Sequence, residues 1–356
     1  MSSPMRTTFP SNPRLIRLRE EIRKLLEGYG YGVREDWTLS PPEDVRAVLA
    51  HFARLKNPKP NPKVAHYFAS ASEIDPLRIR PVLRPVGDRK ESRIFRHAAS
   101  FWSVPVSNGF GRRMRFILWD DHTGKVMGVL GLTDPVIGLG VRDRYIGWDK
   151  KTKEERLYHV MTAYILGAVP PYNRFRAAKL VALLAGSKEV LQHFKERYQH
   201  KRTLIQERVR PAELVLLDTM GAFGKSAIYN RLKGWRFVGY TEGQSHYHLS
   251  SNGIYPLLIE ALKIAGKEGI LKRNRYGQGP NWKLRIVREA SRVLGIPEQA
   301  LMGHGLRRAY YIYPLAENWK PFLRGEVDKV TPIRLAKEEL FAYWRERWLL
   351  PLLSRL

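Results

Sequence analysis

Met114-Arg115-Phe116-Ile117-Leu118-Trp119 leads through Asp120-Asp121-His122-Thr123-Gly124-Lys125 into Val126-Met127-Gly128-Val129-Leu130-Gly131-Leu132. An apolar, aromatic run, a polar turn carrying a glycine, and a second apolar run predict a β-hairpin. Further along, Tyr158 to Val169 reads as a buried strand closed by Pro170-Pro171, and residues 174–185 and 187–198 read as helices. Glu213 to Asp218 predicts a short strand, Lys225 to Lys233 a helix, and Trp235 to Tyr240 a further strand. An antiparallel start followed by strand, helix, strand, helix, strand is the order of an α/β core with a mixed sheet. That core is assigned to residues 78–250.

The flanks read as helical and basic. In Pro13–Tyr29 the apolar positions Leu15, Ile16, Leu18, Ile22, Leu25 and Leu26 recur at helical spacing, and Gly28, Gly30 and Gly32 end the pattern. A second helix is expected from Ser40, with Pro41-Pro42-Glu43 in its first turn and Val45, Val48, Leu49 and Phe52 as its stripe. Residues 1–57 thus read as an N-terminal helical module. Alternating prolines in Asn57–Lys63 force extended backbone, so 58–77 reads as a linker. Residues 251–356 read as a basic, mostly helical region. It has a basic loop over 271–280 and helices near 282–294 and 335–350, the last burying Phe341, Trp344, Trp348 and Leu349.

Sixty-two Lys and Arg face 34 Asp and Glu, a net charge of +28. So large a single-sign charge repels itself in a compact chain, and a polyanion relieves the repulsion while releasing counterions. Nucleic acid is the partner this implies, with DNA favoured. No apolar run approaches the roughly 18–20 residues of a membrane span, and the first residues lack a signal-peptide apolar core. There is no cysteine, which excludes disulfides and thiolate metal sites. A cytoplasmic location is the expectation.

Arg142-Asp143-Arg144 sets a carboxylate between two guanidiniums, which would hold it ionised. It could take a proton or a metal while Arg142 and Arg144 grip phosphates, or it could be an ion-pair knot beside Trp148. Asp218 ends an apolar strand, where α/β sheets place functional groups, and Lys225 and Ser226 sit at an expected helix start that could bind phosphate. Capping by Asp218 or Thr219 is the structural alternative. Asp143 and Asp218 could share a divalent metal in a nuclease. His246 and His248 fall on one face of an expected strand, as metal ligands or as a polar surface, and His304 lies beside Arg307. For DNA contact the candidates are Arg112, Arg113 and Arg115, then Arg273 and Arg275 beside Tyr276, then Arg307 and Arg308 before Tyr310 and Tyr311.

Three blocks resemble the Druantia anti-phage protein A family, over about residues 97–250. Gly128-Val129-Leu130-Gly131-Leu132 with Val141-Arg142-Asp143-Arg144-Tyr145-Ile146-Gly147-Trp148 is similar to its arginine-aspartate-arginine-aromatic-isoleucine-glycine-tryptophan signature. Leu166-Gly167-Ala168-Val169-Pro170 with Asn173 is the second block. Leu216-Leu217-Asp218-Thr219, Phe223-Gly224, Tyr229 and Trp235-Arg236-Phe237-Val238-Gly239 form the third, which adds Tyr229 to the catalytic candidates. The strand order also looks like an N-acetyltransferase-type fold, whose CoA loop is glycine-rich. Here Pro170 to Ala178 has no glycine and two prolines, which argues against CoA. The resemblance implies an anti-phage or mobile-element setting and the charge implies DNA; together they predict a DNA-binding protein with an enzyme-like core that cleaves or modifies DNA. A non-catalytic recognition subunit that recruits a helicase or nuclease is the second reading, and a small-group transferase acting on nucleic acid or protein the third.

Overall fold

In the computed structural model, which describes residues 9–107, 109–202, 209–244, 249, 253–275 and 282–355, the chain forms two units, residues 1–48 with 242–307 and residues 49–241 with 308–356. The first 48 residues carry α1 (Pro13–Gly28) and the short strands β1 (Gly32–Val33) and β2 (Leu39–Ser40), and the division falls within α2 (Val45–Lys56). Next come β3 (Pro81–Pro85), α3 (Arg89–Ala99), β4 (Arg113–Asp120), β5 (Lys125–Thr133), α4 (Gly140–Ile146) and α5 (Lys150–Arg156). They are followed by β6 (Val160–Ala168), α6 (Ala177–Leu184), α7 (Lys188–Tyr198), β7 (Leu216–Met220) and β8 (Arg236–Tyr240). The first unit adds α8 (Ile254–Ile264), α9 (Glu268–Arg275), α10 (Trp282–Leu294) and a short helix over Glu298–Met302, and the second adds β9 (Ala309–Pro314) and then short helices from Trp319 to Leu353.

In the first unit, Asn12 caps α1 by accepting from the Arg14 amide, with Pro13 at the first helical position. Its buried stripe, Leu15, Leu18, Ile22 and Leu26, packs with Leu258 and Leu262 of α8 and Ile286, Val287, Ala290 and Leu294 of α10. Arg19 donates from Nη1 to the carbonyls of Leu294 and Gly295 at 2.8 and 2.6 Å, satisfying the free end of α10. The helical segment expected to stand alone over 1–57 therefore shares its core with helices more than 200 residues away, which local periodicity cannot reveal. Helix α2 starts at Val45 rather than at Ser40, which pairs in β2; Asp44 caps it by accepting from the Ala47 amide at 2.9 Å.

The expected linker is stitched down. Buried Asn57 donates from Nδ2 to the carbonyls of Trp102 and Val104 and accepts from the Val106 amide at 2.8 Å. Prolines forbid α-helix and inner strand there, and the chain instead takes a 3-10 turn over Pro62–Tyr67.

The second unit is a seven-stranded mixed sheet in the order β3-β4-β5-β6-β7-β9-β8. The β4–β5 hairpin forms as read, its turn held by Asp120, whose Oδ1 accepts from the His122 amide. Every neighbouring pair is antiparallel except β6–β7, and this pair is bridged by the crossover α6–α7. On one face α6 and the C-terminal helical stretch pack, with Leu340, Trp344 and Leu349 buried. On the other, α3 covers Ile117, Val126, Val129 and Ile165, while Ile146, Trp319 and Phe322 cover Val160, Leu216 and Ile312.

Two local expectations differ. Residues 225–233 form turns rather than a helix, because their carbonyls are collected from outside. Lys179 of α6 donates from Nζ to the carbonyls of Ala227, Ile228 and Asn230 at 2.7, 3.0 and 3.1 Å, whereas a helix continued through them would engage these oxygens along its axis with amides four residues on. The basic loop expected from 271 is helical as far as Arg275, and the side chains of Arg273 and Arg275 lie outside the described residues.

Candidate nucleic-acid interface

Asp143 and Asp218, far apart in sequence, are brought to the same guanidinium. Helix α4 presents Arg142 wholly buried, and its Nε donates to Asp143 Oδ1 at 3.0 Å. Its Nη2 lies 3.0 Å from the same oxygen and donates to the Ile137 carbonyl, and its Nη1 lies 3.8 Å from Asp218 Oδ2. Gly147 ends α4 with φ +81°, a conformation that costs a Cβ-bearing residue. The reversal swings Trp148 back, and its Nε1 donates to Asp143 Oδ1 at 3.2 Å. Lys153 of α5 and the Leu139 amide take Asp143 Oδ2 at 3.0 and 3.3 Å. Each oxygen of Asp218, on β7, accepts a hydroxyl, from Thr162 on β6 and from Tyr310 on β9, the latter at 2.9 Å.

Burial by itself would raise the Asp143 carboxyl, but Arg142, Lys153 and the Leu139 amide outweigh it and hold the group below the usual range. For Asp218, wholly enclosed, burial wins and the group is raised despite Arg142, Thr162 and Tyr310. Every oxygen of the two carboxylates accepts at least one hydrogen bond, Asp218 is shut off from solvent, and Arg142 Nη1 beside it has no hydrogen-bond partner. Among the described residues no group of three or more His, Asp and Glu is placed to hold a metal, and His246 and His248 lie outside those residues. Lys153, Thr162 and Tyr310 complete the arrangement. Sequence alone links none of them to Asp143 or Asp218, since each reaches the knot only through α5 or a neighbouring strand.

Tyr229 stands on the opposite face of the sheet from Asp218. It is buried against Trp235 and Tyr311, with ring centroids 4.7 and 4.8 Å away, and burial pushes its phenol up to about 12. Tyr310 and Tyr311 lie inside the sheet on β9 and present no ring to a base, contrary to their reading as stacking residues. Arg307 is exposed and Arg308 partly so, its amide donating to Thr241 Oγ1. Arg144 and Lys225 are exposed.

The stretch Val141 to Trp148 is thus a complete structural device. Arg142 faces one carboxylate on its own helix and one on β7, Ile146 is core, Gly147 turns, and Trp148 returns to Asp143. A family model described as Druantia protein DruA matches residues 44–325, this stretch included. The chain belongs to the Druantia protein DruA family. A member from Escherichia coli (strain UMEA 4076-1), itself described as Druantia protein DruA, is 35% identical over 362 residues, covering 96% of this chain and 88% of that one. No solved structure matches. Membership makes the chain a component of an anti-phage defence system.

In this family member the three arginines at and just before the start of β4 separate by face. Arg112 is spent internally: Nε binds Asp134 Oδ1 at 2.7 Å and the guanidinium lies 3.9 Å over the Tyr158 ring. Arg113 and Arg115 alternate to the face covered by α3, where Arg115 donates to Ser92 Oγ at 3.4 Å and lies over Phe95. There they meet a feature the sequence reading missed. Arg89, Arg93 and Arg96 recur at i, i+4 and i+7 on α3 and are all exposed, with Lys90 exposed beside them. None of Arg89, Arg93 and Arg96 pairs with a carboxylate among the described residues. The helical spacing of arginines was the available signal, and the shorter, denser charge runs elsewhere masked it.

Proposed function

We propose that the chain is the DNA-gripping recognition component of its Druantia defence system, presenting Arg89, Arg93 and Arg96 to the phosphate backbone with Arg113 and Arg115 alongside. One observation carries this reading: a row of exposed guanidiniums on a rigid helix, without carboxylate partners among the described residues, in a chain of net charge +28. Arginine forks suit phosphate oxygens, and a helix fixes their spacing. On this reading a helicase or nuclease partner supplies the chemistry, and the knot at Arg142 holds α4 and α5 against the sheet. Titration of labelled duplex DNA across a salt series tests it. The triple variant Arg89→Gln, Arg93→Gln, Arg96→Gln should lower the slope of log affinity against log salt by about 0.9 per lost phosphate contact. An unchanged slope would remove this surface, and no binding by the wild type would remove the DNA reading.

A second reading, the enzyme-like core, is favoured by the opposite shifts of Asp143 and Asp218 about one arginine, the pattern of an acid–base pair. The engagement of both carboxylates by neighbouring side chains, with Asp218 closed to solvent, weighs against it. Turnover of DNA with Mg²⁺ or Mn²⁺ that disappears in Asp143→Asn, with binding retained, would restore it. The acetyltransferase-like architecture and its transferase activity stand third. The turn after β6 lacks the glycine amides a CoA pyrophosphate needs, so CoA should leave the melting temperature unchanged.

A further inference from the structure

The two edges of the large sheet are finished differently. At one edge β3 begins and ends in Pro81 and Pro85, which lack amide donors. At the other lies β8, paired on one side with β9 and carrying two exposed rings, Phe237 at 39% and Tyr240 at 38%. Three residues apart, these rings would point to opposite faces of a regular strand. The register between β8 and β9 shifts between Phe237 and Gly239, so that Phe237 opposes Tyr311 and Tyr240 opposes Ala309. The extra residue, Val238, restores both rings to one face, where their centroids stand 5.3 Å apart.

The pair is anchored from within. Trp235, Tyr229, Tyr311 and Phe237 form a row of rings from core to surface, with successive centroids at 4.7, 4.8 and 5.7 Å. The Tyr311 hydroxyl accepts from the Ser226 amide at 2.8 Å, which brings the turn back over β8 and sets Lys225 Nζ 4.5 Å above the Phe237 ring. Lys225, Arg231, Lys233 and Arg236 are all exposed, and no acidic residue occurs between Asp218 and Glu242. Rigid aromatic faces among unopposed cations are what unpaired nucleobases and their phosphates require. A protein strand adding to this edge would also have to supply the negative charge.

We propose that Phe237 and Tyr240 form a stacking platform for the bases of single-stranded nucleic acid, with Lys225 and Arg236 holding the adjoining phosphates. This rests on the nucleic-acid reading above and narrows it to unpaired strands at this edge. In a duplex the base faces are occupied, so duplex binding runs through other surfaces.

The test compares a labelled oligothymidylate, an abasic sugar-phosphate strand of equal length, and a duplex, against full-length wild type, the double variant Phe237→Ala with Tyr240→Ala, and Phe237→Trp. The wild type should favour oligothymidylate over the abasic strand by roughly tenfold or more, given typical base–aromatic stacking. The double variant should lose that preference while keeping its duplex affinity and its melting temperature, and Phe237→Trp should keep it. Equal binding of both single strands by the wild type, with duplex still bound, would overturn the platform and leave the DNA reading standing. Unchanged preference in the double variant would also overturn it, placing base stacking on other residues. Failure of the wild type to bind any of the three would defeat both.

Discussion

Arg142 and Arg93 lie on helices that pack against the same sheet, and their fates are opposite. Arg142 is enclosed, shared between two carboxylates and a carbonyl. Arg93 stands in a row of exposed guanidiniums without carboxylate partners among the described residues. A family signature drew the eye to the first, yet its geometry is that of a fastener; the second, spread at helical spacing, has the geometry of a contact surface. Motif density marks where a fold is pinned, and partner saturation separates pinning from recognition.

That contrast can be broken by experiment, beginning with the largest expected change in stability. Arg142→Met leaves Asp218 enclosed without its cation and should cost about 3–5 kcal/mol in denaturant unfolding, with DNA affinity per folded molecule unchanged. A loss of affinity without a loss of stability would make Arg142 a recognition residue. His159, buried with Nδ1 2.7 Å from the Glu213 carbonyl oxygen, is pushed by burial down to about 4. Below its ordinary value of 6.5 the unfolded chain takes up a proton that the folded chain refuses. Stability should therefore fall as pH drops from about 6.5 towards 4, by roughly 3 kcal/mol in all, and His159→Gln should flatten that part of a stability-against-pH curve. Lys179→Met frees three carbonyls and should cost about 2 kcal/mol, with faster proteolysis within 225–233 as its local mark. The triple arginine variant on α3 should stay within about 0.5 kcal/mol of wild type in thermal unfolding. A large destabilisation there would return α3 to the pinned class.

What the sequence disclosed followed range of interaction. The hairpin from Met114 to Leu132 and the helix over 188–198 were legible because alternation and helical spacing are local. The family was legible because Arg142, Ile146, Gly147 and Trp148 act within one short turn of chain. The helix expected at 225–233 failed because one distant ammonium, Lys179, outbids local propensity for its carbonyls. The partnership of α1 with α8 and α10 left no trace in either segment alone. Asp143 and Asp218 were both singled out, but only folding shows that they share Arg142, and that Tyr229 lies across the sheet from them.

Strand β9 joins the two halves of this comparison. It follows both of its neighbours, β7 and β8, in sequence yet lies between them in the sheet. It delivers Tyr310 to Asp218 and Tyr311 to Phe237 in the same stroke. A break within residues 309–314 would therefore undo the charged fastener and the aromatic edge at once, so the two faces of the sheet share a single point of failure.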